Sequence, residues 1–274
     1  MWLARMLVVL GMPTSLCGTF AGEAGRVIQA LISDEGIRAS SIAAPGTNGV
    51  YIHDRRNGSR VPVAQMNADP LHRHELDEFY GRAFVEGIEA DVCLLAGPSE
   101  ADILPPSIYE RLAGDLTANQ KVVVADLSGD ELKAVIAGGV AVLKVSEEEL
   151  LAGGWVTDTS LPTVADAMRT LASSGAANVV VSRAERHAVA LLQDGRFVEA
   201  TGPTLQPVDA RGAGDSMTAG IAASLARGCT IEDGLRLGVA AGSLNVTRRG
   251  LATGNRGDIE RLAKHVTVQR VEIA

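Results

Sequence analysis

The strongest constraint on the fold of this chain is a rhythm. Short, nearly unbroken apolar runs recur along it: "TSLCGTF", "DVCLLAG", "KVVVAD", "VAVLKV" and "NVVVS". Between them lie segments with the three-to-four-residue apolar spacing of helices: "GEAGRVIQALISDEG", "LHRHELDEFYGRAFVEGIEA", "PPSIYERLAGDLTANQ" and "VADAMRTLASSG". A strand that is apolar on both sides has to be covered on both faces, and helices interposed between such strands favour parallel pairing. The reading is one α/β domain over residues 1–274, with a central, mostly parallel sheet between two layers of helices. From "HAVALLQDGRFVEA" onward the strands turn hairpin-like, with Asp194-Gly195 at the bend. Two helical runs, "GDSMTAGIAASLARG" and "IEDGLRLGVAAGSLNV", precede a last strand, "HVTVQRVEI".

One segment interrupts the rhythm. "NGVYIHDRRNGSRVPVAQM" reads as two strands joined through Arg55-Arg56-Asn57-Gly58. A hairpin inserted into a parallel α/β domain is either a lid over a site or a surface excursion, and the segment alone supports both equally.

Charge and composition narrow the function classes. The formal net charge is -8, which argues against nucleic acid or an anionic membrane as partner, since both require a basic surface. A phosphorylated small molecule stays compatible, because backbone dipoles bind phosphate on an acidic protein. No run stays apolar for the ~18 residues of a membrane span. The opening "MWLARMLVVLGMPTSLCG" is interrupted by Arg5 and lacks a polar break, so it reads as a helix and a strand rather than a signal peptide. Cys17, Cys93 and Cys229 have no CxxC spacing and sit among apolar neighbours, as reduced thiols do; a cytoplasmic location is the expectation. His72 and His74 diverge on a helix, and His53, His187 and His265 are isolated, so no histidine metal site is expected.

The chemistry concentrates in "VDARGAGDSM", residues 208–217. Small residues, Gly212, Ala213 and Gly214, stand at the mouth of a helix and are followed by Asp215. A helix N-terminus carries unpaired N–H groups and ~0.5 e of positive charge, and glycine lets a phosphate approach them. A carboxylate beside that anion hole can accept the proton of an attacking hydroxyl. The pattern suits phosphoryl transfer to an alcohol. A helix cap with small packing residues is the plainer alternative.

"DARGAGDSMTAG" resembles the second signature of the ribokinase-like, PfkB-type carbohydrate kinases, usually Asp-Thr-x-Gly-Ala-Gly-Asp. "GTFAGEAGRVIQALISDEGI", "LLAGPSEADILPPSIYERL", "VVVADLSGDELKAVIAGGVAVLKVSEEEL" and "LRLGVAAGSLNVTRRGLATG" resemble further segments of that family in the family's order. The likeness is closest to the phosphofructokinase and tagatose-6-phosphate kinase branch. It implies a ribokinase-like fold whose lid is only partial, with residues 49–66 as its remaining hairpin.

The resemblance also implies roles. Asp215 is the catalytic base, and the backbone of Gly212, Ala213 and Gly214 forms the anion hole. Lys144, Ser146, Ser182, Arg211 and Asn245 lie on the nucleotide side, Asn48 and Gly97 on the substrate side. Glu149 holds Mg2+ through water, as suits a cation that keeps its hydration. The backbone of Asp209, Arg248 and Gly250, with that of Arg211, resembles a monovalent-cation loop, so K+ is a candidate alongside ATP and Mg2+. The acceptor is a sugar or sugar phosphate. In this family the lid often forms a dimer contact, which makes a homodimer a candidate assembly.

The sequence also departs from the family. The first strand, the first lid hairpin, the sugar-binding Asp and a Gly-Gly-Lys-Gly-x-Asn motif are absent from the 274 residues. They are expected to be encoded upstream of Met1, since an apolar sheet edge left bare is costly. The family's Thr-Arg is Thr47-Asn48 here, which removes a bidentate phosphate clamp. The glycine-rich Ser-x-Gly-x-x-Gly is "SRAERH", with Arg183 and Arg186 read as exposed, and the Arg211 side chain is read as pointing to solvent. Two other function classes remain in view. One is a degenerate member that binds nucleotide or sugar without turnover. The other is a dinucleotide oxidoreductase, prompted by "GTFAGEAG" although its spacing is not Gly-x-Gly-x-x-Gly.

Overall fold

Each apolar run becomes a strand where the rhythm places it. The computed structural model describes residues 1–56, 61–97 and 103–273. The chain opens with α1 (Trp2–Val9), β1 (Ser15–Phe20), α2 (Gly22–Asp34) and β2 (Arg38–Ala43), followed by the hairpin β3 (Val50–Asp54) and β4 (Val61–Met66). The alternation continues with α3 (Arg73–Glu89), β5 (Val92–Ala96), α4 (Pro106–Ala118), β6 (Val122–Asp126) and α5 (Gly129–Gly138). Next come β7 (Val140–Ser146), α6 (Glu147–Ala152), α7 (Leu161–Ser173) and β8 (Ala176–Arg183). The last part holds β9 (Arg186–Leu191), β10 (Phe197–Thr201), α8 (Ala213–Ala226), α9 (Ile231–Val246), α10 (Arg256–Ala263) and β11 (Thr267–Val271).

The main sheet has seven strands in the order β11-β10-β9-β8-β7-β6-β5. β5 through β8 pair in parallel, and β8-β9, β9-β10 and β10-β11 pair antiparallel. Five strands, β5 to β8 and β10, therefore run the same way, so the sheet is mostly parallel, with β9 and β11 reversed. The Asp194-Gly195 bend forms as expected, with Gly195 at φ +84 and its N–H donating to the Leu192 carbonyl. β1 and β2 make a separate parallel pair.

Successive residues of the central strands feed opposite faces. Leu143, Val145, Val179 and Val181 join the cluster under α4, α5 and α7, with Leu116, Val135 and Leu171. Val124, Val142 and Val180 join the other, with Met217, Ile221 and Leu235 of α8 and α9. This two-sided burial is why the strands read as continuous apolar runs rather than alternations.

Four elements escaped the sequence reading. β2, "RASSIA", is too polar to stand out, and forms because the β1 edge pairs with it while Ser40 and Ile42 turn inward. α5, α6 and α10 are too short for a strong period. α6 and α10 start instead on local caps, Ser146 accepting from the Glu149 N–H and Asn255 from the Asp258 N–H. The inserted hairpin is present, although its Asn57-Gly58 turn lies outside the described residues. No described helix is long and apolar enough to cross a membrane.

Candidate active site

The C-terminal ends of β5, β6 and β7 and the N-terminus of α8 meet at one cavity of about 1770 Å3. In open α/β sheets this end of the strands is where ligands bind. Six of the residues singled out from the sequence line the cavity: Asn48, Gly97, Lys144, Glu149, Gly214 and Asp215. The remainder of the Gly97 segment, 98–102, lies outside the described residues.

Gly212 is the N-cap of α8 at φ +73, a left-handed conformation that a side chain would strain. A Cβ on Gly214 would stand 2.8 Å from the Lys144 ammonium, so the glycine is what admits that charge against the first turn of α8. A helix N-terminus with a lysine laid over it can hold an anion.

Asp215 occupies the third position of α8 and is half-buried. No hydrogen bond to its carboxylate is formed among the described residues, and the N-cap of α8 is Gly212. Burial, with the nearby charge of Asp126 as the second cause, pushes its carboxyl above the ordinary aspartate range; Lys144 opposes the shift.

Asp126 was missed by the sequence reading as a site residue, although its "VVVADLSGD" segment was noted. It is 12% exposed, at the end of β6, and takes both Lys144 Nζ contacts, at 3.2 and 3.4 Å. The hydroxyl of Thr218, fully buried one turn beyond Asp215, donates to Asp126 Oδ2 at 2.6 Å. The pair aims the lysine at Gly214.

Ser146 and Glu149 form a capping box at the start of α6: the Ser146 N–H and hydroxyl donate to Glu149 Oε2, both at 2.8 Å. Glu149 Oε1 has no hydrogen bond among the described residues, and Glu149 lines the same cavity as Asp215. Ser182 pairs with Ser146 across β7 and β8. Asn245 is fully buried and both ends of its amide are engaged: Nδ2 donates to the Arg211 carbonyl at 2.6 Å, and Oδ1 accepts from the Thr253 N–H at 3.2 Å. It staples the loop before α8 to the loop after α9. Asn48 is likewise employed by the backbone, accepting from the Ala21 N–H at 2.6 Å and donating to the Thr19 carbonyl at 3.3 Å.

Two expectations about arginines fail. Arg211 does not point to solvent; it folds back onto Asp209 with its N–H, Nε and Nη2, and this contact holds the Asp209 carboxyl down to about 2. Arg183 is 8% exposed rather than on the surface, because Glu147, itself buried, accepts from it and from Arg186. Arg186 remains exposed. A buried carboxylate at the first position of α6 draws the Arg183 guanidinium inward, while Arg186 reaches it from the surface.

A half-buried carboxylate, a lysine held by an ion pair and a glycine-opened helix N-terminus thus meet at one cavity. The chain matches the pfkB family of carbohydrate kinases over residues 3–256, and it belongs to that family. It is 30% identical over 271 residues to a 1-phosphofructokinase of Bacillus subtilis (strain 168), covering 98% of this chain and 86% of that protein. It is 26% identical over 276 residues to ATP-dependent 6-phosphofructokinase isozyme 2 of Escherichia coli (strain K12), covering 96% and 85%. A crystal structure of phosphofructokinase-2 from Escherichia coli in complex with potassium superposes with a TM-score of 0.84 at 22% identity, over 96% of this chain and 85% of that one. The fold is ribokinase-like and the chain is an ATP-dependent carbohydrate kinase. These comparisons lend nothing to the binding-only alternative, and the family sets the oxidoreductase aside.

Proposed function

We propose that the chain transfers the γ-phosphoryl group of ATP to a hydroxyl of a sugar phosphate of the fructose phosphate class. The acceptor class follows the names of the two phosphofructokinase relatives. The observation that carries the mechanism is Asp215, a half-buried carboxylate at the N-terminus of α8 with no hydrogen-bond partner among the described residues. Asp215 accepts the hydroxyl proton as the new O–P bond forms; the bond from Pγ to the bridging oxygen breaks, and ADP leaves with that electron pair. Lys144 and the first-turn N–H groups of α8 take up the charge on the moving phosphoryl group. The test is ADP release in a coupled assay with fructose 6-phosphate and fructose 1-phosphate. The expected result is measurable turnover with a sugar-phosphate KM above the ~1 mM upper end of ordinary values. The cations among the lining residues are Lys144, which is held by Asp126, and Arg38, which is held by Glu86. Absence of ADP release with either sugar sinks the acceptor assignment.

Glu149 Oε1 is suited to a magnesium-bound water, and magnesium there would neutralise charge on the ATP phosphates. Glu149→Gln should raise the magnesium concentration needed for half-maximal rate. Gln serves in a capping box, so the melting temperature should move by no more than ~0.5 kcal/mol allows. An unchanged magnesium requirement returns Glu149 to a purely capping role. The 208–212 and 248–254 loops, joined by Asn245, are the proposed seat of a monovalent cation such as potassium.

The β3-β4 hairpin supports a homodimer. It pairs with no other strand among the described residues, and Tyr51, Ile52 and Val63 are 51, 58 and 66% exposed. An isolated two-stranded ribbon is marginal in water. Ile52→Glu with Val63→Glu should convert a dimer to monomers in analytical ultracentrifugation; a monomeric parent chain would refute the contact.

A further inference from the structure

We propose that Glu147 is a positioning residue for the nucleotide. Through Arg183 and Arg186 it holds the turn between β8 and β9 in the strained shape that receives ATP. This role rests on the placement of ATP and magnesium beside Glu149 proposed above.

The turn is strained. β8 and β9 pair antiparallel with Arg183 opposite Arg186, so Ala184 and Glu185 alone connect them. Ala184 stands at φ +49, one of three non-glycine residues with positive φ among the described residues. A Cβ disfavours that left-handed region on the order of tenfold in population, whereas glycine enters it freely. A two-residue hairpin turn with positive φ at its first position ordinarily uses glycine, asparagine or aspartate there. Something outside the turn therefore holds Ala184 in place.

The residues on either side of the turn share two acceptors. Arg183 donates through Nε to Glu147 Oε2 at 3.3 Å and through Nη2 to the Thr159 carbonyl at 3.2 Å. Arg186 donates through Nη2 to the same Glu147 oxygen and through Nη1 to the same carbonyl at 3.1 Å. Each guanidinium thus bridges a carboxylate of α6 and a carbonyl of the α6–α7 connection, a task that suits its rigid, planar fork. The Glu147 and Arg183 side chains are both 8% exposed. Burying such a pair is a poor way to gain stability, because desolvation offsets the attraction, but it fixes geometry.

The cluster sits at the C-terminal ends of β7 and β8, the end of the sheet that carries the site. Glu147 opens α6, directly after Ser146 and two residues before Glu149, which lines the cavity with Asp215. Ser182, next to Arg183, pairs with Ser146 across the two strands. One carboxylate therefore fixes the turn relative to the capping box that orients Glu149.

Releasing the clamp lets Ala184 leave the left-handed region, and ATP then binds only the fraction of molecules that still has the turn. Glu147→Gln keeps the side-chain length and removes the charge; it should raise the KM and the Kd for ATP about tenfold. At saturating ATP, kcat and the sugar-phosphate KM should stay within about twofold of the parent, because bound ATP restores the turn. Adding Ala184→Gly should return the ATP constants to within about threefold of the parent, since glycine needs no clamp. Should the buried Arg183 keep Glu147→Gln from folding, Glu147→Met with Arg183→Met removes both charges together. That double variant should fold, show the same ATP defect and respond to Ala184→Gly in the same way. The Kd is measured by calorimetry with ATP and magnesium and without sugar. A parent that binds ATP but phosphorylates neither sugar thus fails the acceptor assignment alone, and the variants still decide the role of Glu147. A lower melting temperature with unchanged ATP constants would overturn the proposal by making the cluster merely structural. So would an ATP defect that Ala184→Gly leaves unrepaired.

Discussion

Asp215→Ala should lower turnover by ~10²–10⁴-fold, the usual cost of losing a general base, while ATP affinity holds. The phosphates depend on other groups: the N–H donors of the α8 first turn, and Lys144, whose ammonium is anchored by Asp126 rather than by Asp215. Removing a negative charge next to that lysine can only help an anion bind. Stability should behave in an unusual way for an acid near a helix start. Burial and Asp126 raise the Asp215 carboxyl. A carboxyl whose folded pKa lies above its unfolded value of ~3.9 holds its proton more tightly when folded. It therefore costs stability at neutral pH, and that cost fades as pH falls through the folded pKa. Asp215→Asn should accordingly melt no lower than the parent at pH 7 although it is inactive. The same shift places the acid limb of kcat/KM above the ordinary aspartate range, since only the ionised form can take a proton. Turnover, ATP affinity and melting curves on the same two variants check all of this. An Asn variant that melts early and retains its rate would return Asp215 to capping.

Asp126→Ala is the second large effect. It leaves Lys144, 5% exposed, without its counter-charge and leaves the fully buried Thr218 hydroxyl without its carboxylate acceptor. Breaking a buried pair by removing one partner costs ~3–5 kcal/mol. For a chain of this size that is a fall in melting temperature on the order of 10 °C. Activity should fall as well, because a freed ammonium no longer lies over Gly214. Lys144→Met in the Asp126→Ala background should recover much of the stability and none of the activity, since an apolar replacement of the pair removes the orphaned charge. Equal melting of the single and double variants would show that the pair carries no coupling.

Much of this was legible in the chain. The parallel strands were visible because burial on two faces forces unbroken apolar runs such as "KVVVAD", and the opened mouth of α8 because glycines stand at 212 and 214. β2 was not visible, since its serines read as loop until the edge of β1 is there to pair with them. Nor was Asp126, since an acid at the end of a strand gains meaning only from what lies across the sheet.

The sequence by itself determined the α/β architecture and the position of the glycine-opened helix with its candidate base, because period, glycine and carboxylate are local properties. Tertiary structure decided the rest. It set Lys144 between Asp126 and Gly214, turned Asn245 and Asn48 toward backbone groups, and drew Arg183 and Arg211 onto Glu147 and Asp209. Each of these depends on distances between residues far apart in the chain, and a buried charge or an unpaired edge goes to whatever partner the fold brings near it.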